Sequence, residues 1–154
     1  MDFQLSLESE GVASAYPDQP LATTVDATVG QALQLLRAQR TGAVMICEGA
    51  KLVGILTERD ALRLMADGAD FSRPVREEMS SPPATIPATA TVAEAIRIMA
   101  EGGYRHLPMV DPEGRPTGVV AVNGIVHYLV DHFPATVYNL PPNPRPTTKE
   151  REGA

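Results

Sequence analysis

The chain has 154 residues, of which 44% are apolar and 21% charged, the balance of a globular protein with one ordinary domain or two very small ones. No apolar run reaches the roughly 18–20 residues of a membrane span, the N-terminus lacks the basic and apolar regions of a secretory signal, and Cys47, the single cysteine, permits neither an intrachain disulfide nor a four-thiolate zinc site. A formal charge of -6, the absence of Trp, and only three Phe and four Tyr argue against nucleic acid or anionic lipid as partners, and a cytoplasmic location is expected.

Residues 1–16 are weakly patterned and read as a leader. From Pro20 the chain repeats itself. Pro20, Thr28, Ala32 and Leu33 lie over Pro83, Thr91, Ala95 and Ile96, at a constant offset of 63 residues. Ala43–Cys47 falls on His106–Val110 at the same offset. The next loop is one residue longer in the second copy, so Gly54–Thr57 meets Gly118–Ala121 at an offset of 64. Each copy reads as strand, helix, strand, strand, helix.

Local signals agree with that order. Thr28 with Gln31, and Thr91 with Glu94, have the spacing of a capping box, in which a hydroxyl and a side-chain oxygen satisfy amides at a helix start. Behind the caps, Val29, Ala32, Leu33 and Leu36 recur at helical spacing, as do Val92, Ala95, Ile96 and Met99. The apolar runs Ala43–Cys47 and Leu52–Leu56, separated by Glu48-Gly49-Ala50, predict a hairpin. Asp111–Thr117 predicts its counterpart, with Gly114 at a positive-φ turn position. Final helices are predicted from about Glu58 to Ala66 and from about Gly124 to Phe133. The divisions are a leader over 1–16, repeats over 17–70 and 83–134, a connector over 71–82, and a proline-rich tail over 135–154 expected to be disordered. One copy alone buries too little surface to be more than a marginal fold, so the two are expected to pack as a pseudo-twofold pair with two equivalent clefts.

Two stretches, Gly54-Ile55-Leu56-Thr57-Glu58-Arg59-Asp60 and Tyr104-Arg105-His106-Leu107-Pro108-Met109-Val110-Asp111, taken with the duplication and its spacing, resemble the CBS domain. The two copies together are similar to one Bateman module of the stand-alone type, over about residues 17–133. The resemblance implies an α/β fold of tandem β-α-β-β-α repeats. It also implies a site for the ribose and phosphate of an adenosine ligand at a glycine followed by two apolar residues and Ser/Thr-x-x-Asp.

That chemistry suits the residue types. Thr57 can cap a helix and still turn its hydroxyl outward. Asp60, one turn on, has two oxygens that can accept both hydroxyls of a ribose diol. A helix N-terminus favours phosphate. Thr-x-x-Asp is also, more commonly, a plain capping box. The second copy has Ala121 and Gly124 at these positions, and its helix is expected to be capped by Asn123. One cleft is therefore expected to bind and the other to be impaired.

By the same resemblance, Ala84, Thr85 and Ile86 flank the adenine, and Tyr104 and Arg105 complete the cleft from the second repeat. Arg105 suits phosphate as a bidentate donor, and Arg59 is a second cation within reach. His106 is expected on the opposite face of its strand. Thr41, Gly42 and Ala43 are expected to line the cleft without charge. His127 and His132, five residues apart, do not have the i, i+4 spacing of a metal pair, and Cys47 reads as a buried small hydrophobe. No nucleotide-binding glycine loop and no nucleophile–base set is present, so neither catalytic nor metal-ligating residues are expected.

The reading is a regulatory module, not an enzyme, with no covalent cofactor. It is expected to sense AMP, ADP, ATP or S-adenosylmethionine, to form a homodimer, and to act on an unidentified effector protein. The alternative is a ligand-free dimerisation scaffold.

Overall fold

A computed structural model describes residues 3–39 and 41–133, and the tail expected to be disordered from 135 lies outside the described residues. The leader begins with α1 (Phe3–Ser9) and a single 3-10 turn over Val12–Ser14. The first repeat comprises β1 (Ala22–Thr24), α2 (Val29–Gln39), β2 (Ala43–Glu48), β3 (Lys51–Thr57) and α3 (Glu58–Ala66). A second 3-10 turn, Val75–Glu77, precedes β4 (Ile86–Pro87), α4 (Val92–Gly102), β5 (His106–Val110), β6 (Pro116–Ala121) and α5 (Val122–His132).

Each repeat forms a three-stranded sheet of the same order, β1-β2-β3 and β4-β5-β6, with the first pair parallel and the second antiparallel. The hairpins turn where glycine accepts a left-handed backbone, at Gly49 (φ 61°) and Gly114 (φ 84°). Both predicted capping boxes form. The Gln31 N–H donates to the Thr28 hydroxyl at 3.1 Å, and the Glu94 N–H donates to the Thr91 hydroxyl at 3.1 Å. Val29, Ala32 and Leu36 bury one face of α2, and Val92, Ala95 and Met99 bury the matching face of α4. A small third cluster of Met45, Cys47, Leu52 and Val119 joins the two sheets across the pseudo-twofold axis.

The leader and connector are woven into the cores by a reciprocal exchange. The 3-10 turn that precedes the first repeat docks on the second: the Val12 N–H donates to the Ala90 carbonyl at 2.8 Å, and the Val92 N–H to the Glu10 carbonyl at 2.9 Å. The turn that precedes the second repeat docks on the first in the same way, Val75 to Ala27 at 2.7 Å and Val29 to Arg73 at 2.9 Å. Val12 and Val75 are fully buried, and each side chain contributes about 1.5–3 kcal/mol of hydrophobic stabilisation to the opposite repeat. Leu7 and Ala15 join Val12 in the core of the second repeat, so the segment read as a leader is structural.

Candidate functional site

A cleft of about 630 Å³ opens where α3 begins, a size common for small-molecule sites. The first repeat supplies Gly42, Ile55, Thr57, Glu58, Arg59 and Asp60. The connector contributes Met79 to Pro82, and the second repeat Pro83, Ala84 and the run Gly102 to His106. The site thus exists only because the two repeats pack. It gathers six of the eight residues expected from the sequence: Thr57, Arg59, Asp60, Ala84, Tyr104 and Arg105. The other two stand elsewhere. Ile86 is 1% exposed in the core of the second repeat, where its strand pairs it with Met109, and Thr85 is exposed outside the cleft lining.

Thr57 is the N-cap of α3 and closes a full capping box with Asp60. The Thr57 N–H donates to Asp60 Oδ2 at 2.9 Å, the Thr57 hydroxyl donates to the same oxygen at 3.0 Å, and the Asp60 N–H donates to the hydroxyl at 3.3 Å. Asp60 Oδ1 faces Arg63 at 3.7 Å. A diol arriving here meets one carboxylate oxygen already doubly occupied and one engaged by a single weak ion pair. The Glu58 N–H donates to the Gly42 carbonyl at 3.1 Å, which leaves the Arg59 N–H as the open amide of the first turn among the described residues. Arg59 and Arg105 are exposed and make no side-chain hydrogen bond or ion pair among the described residues, so two guanidinium groups stand ready for an anion.

His106 departs from expectation. It lines the cleft beside Arg105, because β5 begins only at His106 and the residues before it are outside the strand's alternation. Gly42 (φ 79°) makes the room: a Cβ there would stand 2.8 Å from His106 Nε2. Burial holds the imidazole below its ordinary pKa, opposed by the Glu58 and Asp18 carboxylates and a hydrogen bond to Thr41, and reinforced by Arg105.

Gly54 makes room for the chain itself. A Cβ on it would lie 2.3 Å from the Met79 sulfur, so the glycine seats the Met79 side chain on the cleft wall. Met79 to Pro82 lie in the segment expected only to connect the repeats, and none of them was expected at the site. The readable signal was that Gly54 and Gly118 occupy equivalent positions, each facing an incoming segment: Ser80 bridges to Ile55 and Asp18 to Val119.

Outside the cleft, Cys47 is buried, and burial pushes its thiol pKa up. His127 Nε2 lies 3.3 Å from Asp131, and the His132 ring stacks on Tyr128 at 4.3 Å. Among the described residues, no group of three His, Cys, Asp or Glu side chains could hold a metal ion, and no helix is long and apolar enough to cross a membrane.

The equivalent of this site in the second repeat is different. Its helix starts at Val122, two residues earlier than expected, with Ala121 as an N-cap that makes no side-chain hydrogen bond. Asn123 does not cap the helix from outside; its Oδ1 accepts from the Gly124 N–H at 2.9 Å within the first turn.

The CBS domain family pattern matches residues 12–67 and 75–131, and both matches begin at the exchanged 3-10 turns. The CBS domain-containing protein YhcV of Bacillus subtilis is 33% identical over 115 residues, 74% of this chain and 76% of that protein. An uncharacterized 17.7 kDa protein of Acidianus ambivalens is 28% identical over 105 residues, 68% of this chain and 63% of that protein. A match to the inosine-5'-monophosphate dehydrogenase of Aquifex aeolicus, 33% identical over 70% of this chain, spans only 22% of that enzyme. Among solved structures, the CBS domain protein PAE2072 of Pyrobaculum aerophilum complexed with AMP superposes with a TM-score of 0.70 at 23% identity, covering 79% of this chain and 98% of that one. The CBS domain pair of MJ0100, in complex with 5'-methylthioadenosine and S-adenosyl-L-methionine, gives 0.71 at 22% identity, covering 77% and 98%. The chain belongs to the CBS domain family, as a tandem pair of repeats in one α/β fold.

Proposed function

We propose that the chain is a regulatory module that binds one adenosine-containing ligand, AMP, ADP, ATP or S-adenosylmethionine, in the cleft at Thr57 and Asp60. The observation that carries this reading is the cleft itself. It is built jointly by both repeats, with the α3 N-terminus, Asp60 and the uncommitted Arg59 and Arg105 converging on one space. AMP in PAE2072 and the two adenosine compounds in MJ0100 support the ligand class. In this reading the ribose meets Asp60 Oδ1, the phosphate, or the amino-acid carboxylate of S-adenosylmethionine, lies toward Arg59, Arg105 and the α3 N-terminus, and Ala84 and Tyr104 flank the base. Ligand bridges the repeats, and it shifts their arrangement to the extent that it favours one arrangement over another.

The output passes through a homodimer or a partner protein in the cytoplasm. Leu62 and Met65 on α3 and Val126 on α5 are more than half exposed, and Val122 is 41% exposed, which gives the two final helices an apolar outer face suited to a second copy. A thermal-shift panel of adenine nucleotides, guanine nucleotides and S-adenosylmethionine tests the ligand class. Ligand at ~100 times its Kd should add about 2.7 kcal/mol to stability. A flat panel with an intact dimer would instead favour a ligand-free scaffold, a reading supported by the completeness of the Thr57–Asp60 box without any ligand.

A further inference from the structure

The exchange that knits the two repeats is symmetric except at one place. In the connector, four residues, 76–79, separate the buried Val75 from the Ser80 bridge to Ile55. In the leader, five residues, 13–17, separate the buried Val12 from the Asp18 bridge to Val119. Both ends are pinned in equivalent ways, so the extra residue has to bulge. It does so at Tyr16, the one non-glycine residue among those described with a positive φ, 52°.

The bulge goes into the second cleft. A Cβ on Gly124 would meet the Ala15 carbonyl oxygen at 2.9 Å and the Tyr16 carbonyl oxygen at 3.1 Å. Gly124 stands where the first cleft has Asp60. The room beside the helix N-terminus that holds a carboxylate in the first site therefore holds main-chain carbonyls in the second. These carbonyls present negative dipole ends to the start of α5, the place an anion would take.

The bulge is also fastened. The Tyr16 hydroxyl donates to Asp131 Oδ2 at 2.9 Å, and its ring meets the edge of His127 at 5.0 Å. Behind it, Ala121 is 5% exposed, whereas its equivalent Thr57 lines an open cavity.

We propose that residues 13–17 are a strap that shuts the second cleft in place of ligand, latched by Tyr16 on Asp131, so that only the first cleft is open to solvent and to ligand. Gly124 is then a space for the strap as much as a lost carboxylate. Closure of the second cleft does not rest on the identity of what binds in the first.

The test uses thiol labelling of the full chain, with a maleimide as the probe and Cys47→Ser as the background. Thr57→Cys reports on the first cleft and Ala121→Cys on the second. The expected result is fast labelling at 57 and slow labelling at 121. Tyr16→Phe and Asp131→Asn should each raise the rate at 121 by about three- to tenfold, the factor carried by one net hydrogen bond, and leave the rate at 57 unchanged. Deleting Tyr16, which matches the leader to the connector in length, should raise it further. Amide exchange in the unsubstituted strap gives a second readout: the peptide over 12–18 should lose protection in the same variants while 75–80 does not. Equal labelling at 57 and 121, or a rate at 121 and an exchange rate over 12–18 indifferent to all three strap changes, would overturn the proposal. Nucleotide is absent throughout, so a chain that binds no adenosine ligand still reports on the strap.

Discussion

Asp60 Oδ2 takes both donors of Thr57, the backbone N–H at 2.9 Å and the hydroxyl at 3.0 Å. One carboxylate therefore has two duties, starting α3 and facing the cleft, and the two can be separated by measurement. Asp60→Ala should weaken AMP binding about tenfold or more, since a hydrogen bond to a charged group is worth roughly 1.5–3 kcal/mol. The unliganded protein loses the two Thr57 bonds to Oδ2, each worth roughly 0.5–1.5 kcal/mol net, while the Thr57 hydroxyl still caps the Asp60 position's N–H. In a chain of this size that is a fall in Tm of a few degrees. A large fall in Tm with unchanged AMP affinity would make Asp60 a structural residue and nothing more.

Arg105 has no side-chain partner among the described residues and stands at the edge of a cleft that also holds the carboxylates of Glu58 and Asp60. It should therefore discriminate by phosphate. AMP should outbind adenosine in the native protein, and Arg105→Ala should narrow that gap while leaving adenosine affinity nearly unchanged. Paired calorimetric titrations read both quantities. An AMP-to-adenosine ratio that Arg105→Ala does not change would remove Arg105 from the phosphate site.

Much of this arrangement was legible in the sequence because the signals were local and occurred twice. The Thr28–Gln31 and Thr91–Glu94 boxes, the apolar faces of α2 and α4 and the start of α3 at Glu58 all follow from spacing over a single turn or two. What stayed hidden depended on which partner a segment finds across the fold. Val75 is a single apolar residue among charged ones and Val12 sits in a short run of small residues, and no window around either one tells that they trade repeats. His106 was assigned to the wrong face because alternation presumes a strand that has already begun. Gly124 was expected only as the loss of a carboxylate, yet it lies against the Ala15 and Tyr16 carbonyls just as Gly54 lies against Met79.

The half-buried imidazole of His106 gives the protein an acid-sensitive element. Desolvation holds its folded-state pKa below the ordinary 6.5, with the Glu58 carboxylate the largest opposing influence. In the folded protein the ring stays neutral to lower pH than in the unfolded chain, so the unfolded chain binds more protons there. The contribution to stability is therefore whole above pH 6.5 and is progressively lost as pH falls below it toward the folded-state value. His106→Gln should flatten that part of the profile. Chemical denaturation of both proteins from pH 7.5 down to about 5 would show this as a difference in stability that shrinks toward acid. Parallel profiles would mean that His106 titrates alike in the folded and unfolded chains.

The two clefts differ in motif and in obstruction, and a pair of substitutions weighs these against each other. The native chain should bind one AMP per chain by calorimetry, in the Thr57–Asp60 cleft. Ala121→Thr with Gly124→Asp restores the motif residues of the second cleft, but the new Cβ at 124 stands 2.9 Å from a main-chain oxygen, and its carboxylate faces two carbonyls. Main chain pinned at Val12 and Asp18 gives way less readily than the end of a flexible side chain, and overpacking of this kind costs roughly 1–3 kcal/mol. The double substitution in the full-length leader should therefore lower Tm and still titrate with one AMP per chain. The same substitutions in a chain lacking Tyr16 have the shorter path that the connector already uses, and that chain should titrate with two. A second site that appears with the strap intact would mean that motif chemistry alone decides occupancy. No second site even without Tyr16 would mean that the second cleft lacks a cation for the phosphate, since the first repeat has Thr41 and Gly42 at the positions where the second has Tyr104 and Arg105.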